Sequence, residues 1–436
     1  MTQAGTRNRV SVTLACFLAY CVMSGMLAPI GVVLPPLAEQ LGIPVPAAGA
    51  LFSWLTVGIL VGSGLALVVF DLLSLRTAML LIYTAIAGSL LLLRFTESPW
   101  LLRLALGVVG AGCGIGLAGA ASGIALLFAG ERRASMLVVT DGFFSGAGAA
   151  TSAVAVLFVA AGLHWASSYL LVGAIAVVIV ALAAGARFPV SEARRVAPVA
   201  GGESGEESEE ETGEGRPPAP AARWPAAVWL CIAALFLYTL GQNSMLWWLP
   251  SHLEATLPMS REAAGSVVSR YWTGMFCGQL LVAWWVLRLG ARRMVLASIF
   301  GTLLGSLPLW TVTVPAWLPW LAFGWGLVNF GLLKVTIAFA SEAVPVPTPR
   351  LIAALLFGAT LGTAVSPVVT SAVVAAGDEL TVLRFSSFCY LLLAGLVLVA
   401  RRLAAPAPAT TASATTAPAA AAPATTDPGL TERETP

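Results

Sequence analysis

Long apolar runs alternate with short polar or proline- and glycine-rich breaks over most of the chain. A helix needs about 20 apolar residues to cross a bilayer core, and runs of that length occur six times before residue 189 and six times after residue 223. The predicted spans are 10–37, 48–70, 77–93, 100–128, 136–161, 165–187, 224–249, 263–287, 294–314, 317–340, 351–376 and 380–400. The pattern therefore predicts an all-α membrane protein with twelve transmembrane helices in two six-helix bundles.

The composition agrees with this pattern. Apolar residues make up 58% of the chain and charged residues 10%, with a mean hydropathy of +0.89, which is typical of membrane proteins and not of soluble domains. The six cysteines all lie in apolar runs without paired or metal-ligand spacing, so we expect no disulfide, metal or cofactor.

One long polar segment, residues 189–223, divides the chain. Its stretch 203–214 holds seven glutamates, mostly among glycine and serine, a composition that predicts disorder. It is either a solvated hinge or a docking site for a basic partner. We predict bundles at 1–188 and 224–404, an acidic cytoplasmic linker at 189–223, and a disordered Ala/Pro/Thr-rich tail at 405–436.

Arginines predict the orientation. With a cytoplasmic N-terminus, 17 arginines fall on the inner side and Arg94, Arg103, Arg261 and Arg384 on the outer side. The positive-inside rule then places both termini and the linker in the cytoplasm, for a multi-pass protein of the cytoplasmic (inner) membrane.

The two halves contain an internal repeat. Four pairs match at a shift of 216: Gly49 with Gly265, Ser53 with Ser269, Gly58 with Gly274, and Gly62 with Gly278. Pro35 matches Pro250 at a shift of 215. A common shift indicates duplication with parallel topology, although glycine and serine are also frequent wherever membrane helices pack closely.

The loop after the second span of each half carries charges. Residues 288–293 read Arg-Leu-Gly-Ala-Arg-Arg and resemble the basic loop that major facilitator proteins carry there, while residues 71–76 keep one acid and one arginine. The resemblance implies an inter-helix charge contact that changes during the transport cycle. Asp71, Arg288 and Arg292 are therefore gating candidates, with simple positive-inside anchoring as the alternative.

Several segments in both halves resemble the TsgA-type proteins near the fucose:proton symporter branch of the major facilitator superfamily. They are Thr140-Asp-Gly-Phe-Phe-Ser145, Leu240-Gly-Gln242, Trp248-Leu-Pro250, Val267-Val-Ser-Arg-Tyr-Trp272 and Val346-Pro-Thr-Pro-Arg-Leu351. The resemblance implies the major facilitator fold. The fucose branch carries two membrane acids near places that hold Gly31 and Ala118 here, so fucose transport and that route of proton coupling do not carry over.

Lys334 is the only lysine in a chain with 22 arginines, and it lies inside the tenth predicted span. A charge at this depth costs at least about 2.5 kcal/mol, so it normally faces a cavity or a partner. In the resembling family the fourth and tenth spans line the central cavity, which makes Lys334 a candidate for contacting solute. The alternative is a lysine that snorkels toward the inner end near Glu342.

Asp141 is the only acid well inside a predicted span. It is a candidate proton carrier, or else a helix-start charge near Arg132 and Arg133. Asp141 and Lys334 lie at depths that differ by about 5 Å. We predict that they form a switchable pair at an inner gate, closed when the cavity opens outward.

Further polar residues lie at mid-depth. Residues 241–244 of the seventh span, Gly-Gln-Asn-Ser, predict either a locally unwound substrate segment or interhelical hydrogen bonds. Arg270 is either a clamp for an anionic group or a snorkelling arginine. The substrate-binding candidates are Lys334, Asn329, Tyr238, Gln242, Asn243, Tyr20 and Arg270. Of these, residues 238, 242, 243, 329 and 334 are predicted to face a common central cavity.

These observations favour a secondary transporter, a proton-coupled symporter that moves a small polar solute by alternating access. The alternative is a non-transporting membrane sensor or scaffold that kept the fold. An enzyme is not expected, because no phosphate-binding loop is present and His164 and His252 supply no catalytic cluster. We expect a monomer in the lipid bilayer, with a solute and protons as partners and no nucleic acid.

Overall fold

The structure is a computed structural model that describes residues 3–128, 130–188, 224–289, 291–329, 331–344 and 349–403. The predicted linker and tail lie outside these residues. Within them the regular structure is helical, without a strand.

Each predicted span has its helix or helix pair. The first half contains α1 (Gln3–Leu27), α2 (Ile30–Leu41), α3 (Val45–Leu51), α4 (Ser53–Leu72), α5 (Leu75–Phe95), α6 (Pro99–Leu127), α7 (Gly130–Ala160) and α8 (Ser167–Gly185). The second half contains α9 (Ala226–Thr256), α10 (Arg261–Leu289), α11 (Ala291–Ser306), α12 (Pro308–Thr311), the 3-10 turn Pro315–Trp317, α13 (Leu318–Asn329), α14 (Leu332–Glu342), α15 (Pro349–Ala376) and α16 (Glu379–Leu403). The helix pairs α1–α2, α3–α4, α11–α12 and α13–α14 form the first, second, ninth and tenth spans.

The length and apolarity of these helices fit a membrane protein. Among the described residues, eleven spans are long and apolar enough to cross a bilayer. The eighth, Arg261–Leu289, is long enough at 29 residues but more polar, because it carries Arg261, Glu262, Arg270 and Arg288. With it, the twelve predicted spans are present, and their outward surfaces carry large apolar side chains such as Leu65, Leu91 and Phe357.

One prediction about helix continuity was wrong, and a second point that the sequence left open is decided. The first span, predicted as one helix, breaks between Leu27 and Ile30, because Pro29 has no backbone N–H to continue the helical bonds. The seventh span is one continuous helix, so of the two alternatives for residues 241–244 the structure favours interhelical hydrogen bonds over a locally unwound segment. Gly241 serves packing there: a side-chain carbon on it would lie 3.1 Å from the Ser386 carbonyl of the twelfth span.

The interruption of a mid-membrane helix falls in the tenth span instead. Its outer segment ends at Asn329 and its inner segment begins at Leu332, with residue 330 outside the described residues. Gly331 has φ −125° and ψ 1°, which is not helical. Lys334 is thus the third residue of a new helix segment.

The predicted repeat is present in three dimensions. An added side-chain carbon would lie 2.0 Å from the Leu55 carbonyl at Gly110 and 2.0 Å from the Tyr271 carbonyl at Gly326. Both glycines and both carbonyls match at the shift of 216. The second and fourth spans therefore cross in backbone contact, and the eighth and tenth spans cross in the same way. This close approach is available only to glycine.

The aligned pair Gly49 and Gly265 shows the same symmetry between the halves. Gly49 of the second span packs against Ser371 and Trp248 of the eleventh and seventh spans. Gly265 of the eighth span packs against the fifth and first spans, through residues 156 and 32. Exchanging the two halves exchanges these neighbours, as expected for two bundles related by a pseudo-two-fold axis.

Candidate functional site

An ion pair joins the two halves in the membrane region. Lys334 Nζ lies 3.0 Å from Asp141 Oδ2, which connects the tenth span to the fifth. The side chains of Lys334 and Asp141 are 52% and 22% exposed, respectively. The predicted contact between these residues is present, while its gating role stays a prediction.

The helix that carries Asp141 starts earlier than the sequence predicted. The helix of the fifth span, α7, begins at Gly130, whereas the predicted span begins at residue 136. Asp141 is therefore 11 residues, or about 16 Å, from the start of the helix. A helix dipole acts on charges within the first turn, so Asp141 is not a helix-start charge. Tyr20 of the first span hydrogen-bonds the neighbouring Thr140 and lies close to Asp141.

The halves are in contact on the side away from the N-terminus, here called the outer side. A side-chain carbon on Gly31 would lie 2.4 Å from the Leu246 carbonyl. Trp247 Nε1 donates to the Leu27 carbonyl at 3.3 Å. The first and seventh spans thus close the outer side, and the ion pair is formed at the same time. In this conformation the pair is present while the outer side is closed, and its role in an outward-open state stays a prediction.

A buried hydrogen-bond network joins four spans of the second half. The Tyr271 hydroxyl accepts from Gln242 Nε2 at 2.6 Å and from Asn329 Nδ2 at 2.8 Å. It lies 3.7 Å from Met275 Sδ, and Thr302 Oγ1 donates to Asn329 Oδ1 at 3.4 Å. Two substrate-site candidates are thereby joined through Tyr271, which the sequence analysis did not select.

Tyr271 could have been found from the repeat. It lies three residues before Gly274, on the face of the eighth span that crosses the tenth, and its carbonyl contacts Gly326. Residues on that face are buried by the crossing, so a polar one needs a hydrogen-bond partner.

The remaining cavity candidates differ in their surroundings. Tyr238 is buried beside Tyr271 and Tyr390, and Asn243 is half-buried on the same helix. Asn329 is fully buried by packing within the second half. That residues 238, 242, 243, 329 and 334 face one central cavity stays a prediction.

Arg270 is not part of this network. Its side chain is exposed, with Cζ 6.0 Å from the ring centroid of Trp320, which is itself exposed. This placement favours the snorkelling alternative over the clamp. Arg288 is exposed near the end of the eighth span. The side chains of Asp71 and Arg292 lie outside what the structure describes, so the gating roles of these three residues stay predictions.

A second ion cluster lies at the outer side and was not predicted. Arg261 donates through Nε to Glu254 Oε1 at 3.0 Å and through Nη1 to Glu39 Oε2 at 3.1 Å, while its Nη2 pairs with Glu39 Oε1. Glu39 belongs to the first half and the other two residues to the second. The hydrogen bonds from Arg261 hold the pKa of Glu39 below its usual value.

The two glutamates occupy equivalent positions of the repeat. Glu39 follows Pro35 by four residues, and Glu254 follows Pro250 by four. A single arginine therefore joins the same position of both halves. Within the described residues no group of three or more His, Cys, Asp or Glu side chains could hold a metal ion.

Comparisons with known proteins agree with the fold. The family model described as Major Facilitator Superfamily matches residues 14–260, more than half of the chain. Protein TsgA of Escherichia coli O6:K15:H31 (strain 536 / UPEC) is 26% identical over 371 residues, covering 84% of this chain and 88% of the relative. Protein TsgA of Shigella flexneri matches to the same extent.

Solved structures share the fold at low sequence identity. A crystal structure of the nucleoside transporter NupG superposes with a TM-score of 0.64 at 16% identity, covering 90% of this chain and 99% of that one. A crystal structure of a D-xylose-proton symporter gives 0.67 at 16% identity, covering 91% and 97%.

Proposed function

The chain belongs to the Major Facilitator Superfamily, and from that premise we propose that it is a secondary transporter that moves a small polar solute by alternating access, coupled to protons. It is a multi-pass membrane protein, which we place in the cytoplasmic membrane with both termini inside. The observation that carries the proposal is the Lys334–Asp141 ion pair between the halves.

Placing two charges inside the membrane costs free energy, and a purely structural role does not explain why they are there. Each charge is expensive in the membrane interior, and such residues normally mark transport pathways or proton relays. The pair joins two bundles that must move relative to each other if access alternates. It therefore sits where breaking and forming a contact changes the conformational equilibrium.

The pair also supplies a route for proton coupling. Protonation of Asp141 removes its charge and releases Lys334, so the stability of the contact depends on a proton. Because the intact pair carries no net charge, it does not require an anionic solute. This route uses neither of the two acids that the fucose branch carries near Gly31 and Ala118.

The similar structures suggest the first solutes to test. Those proteins are a nucleoside transporter and a D-xylose-proton symporter, and nucleosides and D-xylose are both small polar solutes. For this chain they serve as a starting panel, together with other pentoses, hexoses and nucleosides.

The test is solute-driven proton movement in proteoliposomes loaded with a pH-sensitive dye. We expect wild type to acidify the lumen when a transported solute enters, and Asp141→Asn and Lys334→Gln to reduce the rate at least about tenfold. The exchange of the two residues, Asp141→Lys with Lys334→Asp, should recover part of the rate because it restores the pair.

Arg94→Gln is the matched control, because it removes a charge from the third span that stacks on Phe95 instead. It should behave like wild type. Single variants at 141 and 334 with wild-type rates and unchanged pH dependence would refute the coupling role. Solute binding without flux under any gradient would favour the sensor or scaffold alternative.

A further inference from the structure

A polar face continues from Asp141 toward the outer side along the fifth span. Ser145 follows Asp141 by four residues and Gly148 follows it by seven, so all three lie on one side of the helix. A side-chain carbon on Gly148 would lie 2.9 Å from Ser24 Oγ of the first span and 2.9 Å from Trp272 Cδ2 of the eighth. Both halves therefore meet at Gly148.

Three polar groups around this meeting point are buried without partners. Ser24 Oγ, Ser145 Oγ and Trp272 Nε1 have no hydrogen-bond partner within the part of the chain that the structure describes. Their side chains are at most 5% exposed. Such groups are rare, because burial removes their hydrogen bonds to water and nothing replaces them. They are three of thirteen such atoms among the described residues. Ser24 and Trp272 contact Gly148 between the halves, and Ser145 lies one turn away on the same face of the fifth span.

We propose that Ser24, Ser145 and Trp272 form a hydrogen-bonding subsite for the hydroxyl groups of a neutral solute. This rests on the proposed function, since it names the solute class of the same transporter. Two of the groups both donate and accept, the indole N–H only donates, and none is charged. This set matches hydroxyls and carbonyls and gives no advantage to an anion.

Aromatic rings complete the chemistry of this subsite. Phe144 packs edge-on against Trp272 with ring centroids 5.8 Å apart, and Tyr271 lies 5.4 Å from Trp272 on the other side. Apolar ring faces beside a few polar groups are typical of small-molecule sites. A pentose or nucleoside fits this combination, because the C–H face of the sugar can pack against an aromatic ring while its hydroxyls form hydrogen bonds.

The subsite also links solute binding to closure of the outer side. When the halves part at Gly148, the three groups regain water or bind solute hydroxyls. A solute that stays bound as the halves approach keeps them paired, whereas closure without solute leaves them unpaired. Hydroxyl-bearing solutes therefore favour closure of the occupied transporter over closure of the empty one.

The experiment measures thermal unfolding of the full chain in detergent with uridine, 2′,3′-dideoxyuridine and D-xylose. Uridine or D-xylose should raise Tm of the wild type, and dideoxyuridine should raise it less than uridine. Ser24→Ala, Ser145→Ala and Trp272→Phe should each weaken Kd about tenfold, because each removes one hydrogen bond. Ser24→Ala and Ser145→Ala should also raise Tm without solute, because each removes an unpaired buried hydroxyl.

Ser168→Ala is the matched control, since Ser168 is another buried hydroxyl of the sixth span that lacks a partner among the described residues. It should raise Tm similarly and leave Kd unchanged. The subsite is overturned if neither uridine nor D-xylose shifts Tm of wild type, or if all three variants keep the wild-type Kd. If solute binds through these groups but is not transported in proteoliposomes, the transport proposal fails while the subsite stands.

Discussion

The two halves cross their helices in the same way but fill the crossings differently. Around the Gly326 crossing the second half buries Tyr271, Thr302 and Asn329, which are hydrogen-bonded to one another or to their neighbours. The equivalent positions around Gly110, shifted by 216, are Leu55, Ile86 and Cys113, equally buried and apolar. At the shift of 215 that aligns Pro35 with Pro250, Gln242 corresponds to Leu27, which is also buried and apolar.

This difference shows which properties a duplicated fold must keep. The glycines at the crossings are fixed by backbone contact, so neither half can replace them. The side chains around the crossings need only fill space or satisfy their own polar groups. The first half uses that freedom for an apolar core. The second half uses it for a polar network. The break in the tenth span separates this network from Lys334.

The largest effect should come from breaking the shared feature. Gly110→Ala and Gly326→Ala each place a carbon 2.0 Å from a backbone carbonyl. A backbone atom cannot move aside as a flexible side chain can, so we expect each to cost more than about 3 kcal/mol. Both variants should fail to give monodisperse protein by size-exclusion chromatography, and equally so.

Two glycines with open space around them are the controls. Gly64→Ala in the first half and Gly324→Ala in the second meet nothing within 4 Å. Alanine is the better helix former by about 1 kcal/mol, so both should fold normally with unchanged or slightly higher Tm. If only one of the two crossing variants misfolds, the crossings are not equivalent.

An intermediate effect should come from the polar network that distinguishes the halves. Tyr271→Phe removes the oxygen that accepts from Gln242 and Asn329. Two buried amides then lose a partner, and we expect a loss of about 2 to 4 kcal/mol of unfolding free energy. The matched change in the first half, Leu55→Met, conserves volume and should cost less than about 1.5 kcal/mol.

The same network can be converted to its counterpart in the first half. Adding Gln242→Leu and Asn329→Cys to Tyr271→Phe removes the two unpaired amides. Thermal unfolding should then show recovery of most of the stability lost in the single variant. Equal stability of Tyr271→Phe and wild type would mean that the hydroxyl is not holding the network together.

The sequence predicted the spans and the repeat because both depend on local, additive properties. The length of an apolar run predicts a span. A glycine such as Gly58 is required where two helices cross in backbone contact. Continuity was harder to predict: Gly241 and Gly331 both lie within three residues of a polar side chain, yet of these two spans only the tenth breaks. Packing of Gly241 against the twelfth span decides this, and such packing is not visible in a single stretch of sequence.

The candidate site was predictable only where a residue was rare. Lys334 and Asp141 stood out because charges at that depth need a partner. Tyr271 did not, since tyrosine is common in apolar helices, and its role arises from residues of three other spans. The contact of Arg261 with Glu39 joins residues 222 positions apart, a separation at which local pattern carries no information.

The smallest effect on stability should come from the outer ion cluster. Each half has a glutamate at the equivalent position there, but only the second half has the arginine. Glu39 and Glu254 are equivalent, but Arg261 has Val45 as its counterpart at the shift of 216. Only Glu39 lies in the other half, so only its bond to Arg261 holds the halves together. Because the pair is largely exposed, Glu39→Gln should change unfolding free energy by less than about 1 kcal/mol.

Its conformational effect is measurable. Ser251→Cys, in a background without the six native cysteines, is buried at the outer end of the seventh span while that side is closed. Glu39→Gln should increase its labelling by a membrane-impermeant maleimide several-fold, whereas Glu254→Gln should not, because Glu254 and Arg261 belong to the same half. Equal labelling in the two variants would show that the cluster anchors a loop and does not hold the outer side closed.

The pH dependence of the same labelling gives the sign of the electrostatic contribution. Arg261 lowers the pKa of Glu39 in the closed form, so the stabilisation of that form is complete above the unperturbed pKa of about 4.3 and is lost as pH falls through the lowered pKa. Wild type should therefore approach the labelling of Glu39→Gln on acidification, while the variant stays constant. Glu254 and Glu262 are the other carboxylates beside Arg261, and the Glu254→Gln variant should keep the pH response of wild type if Glu39 alone joins the halves.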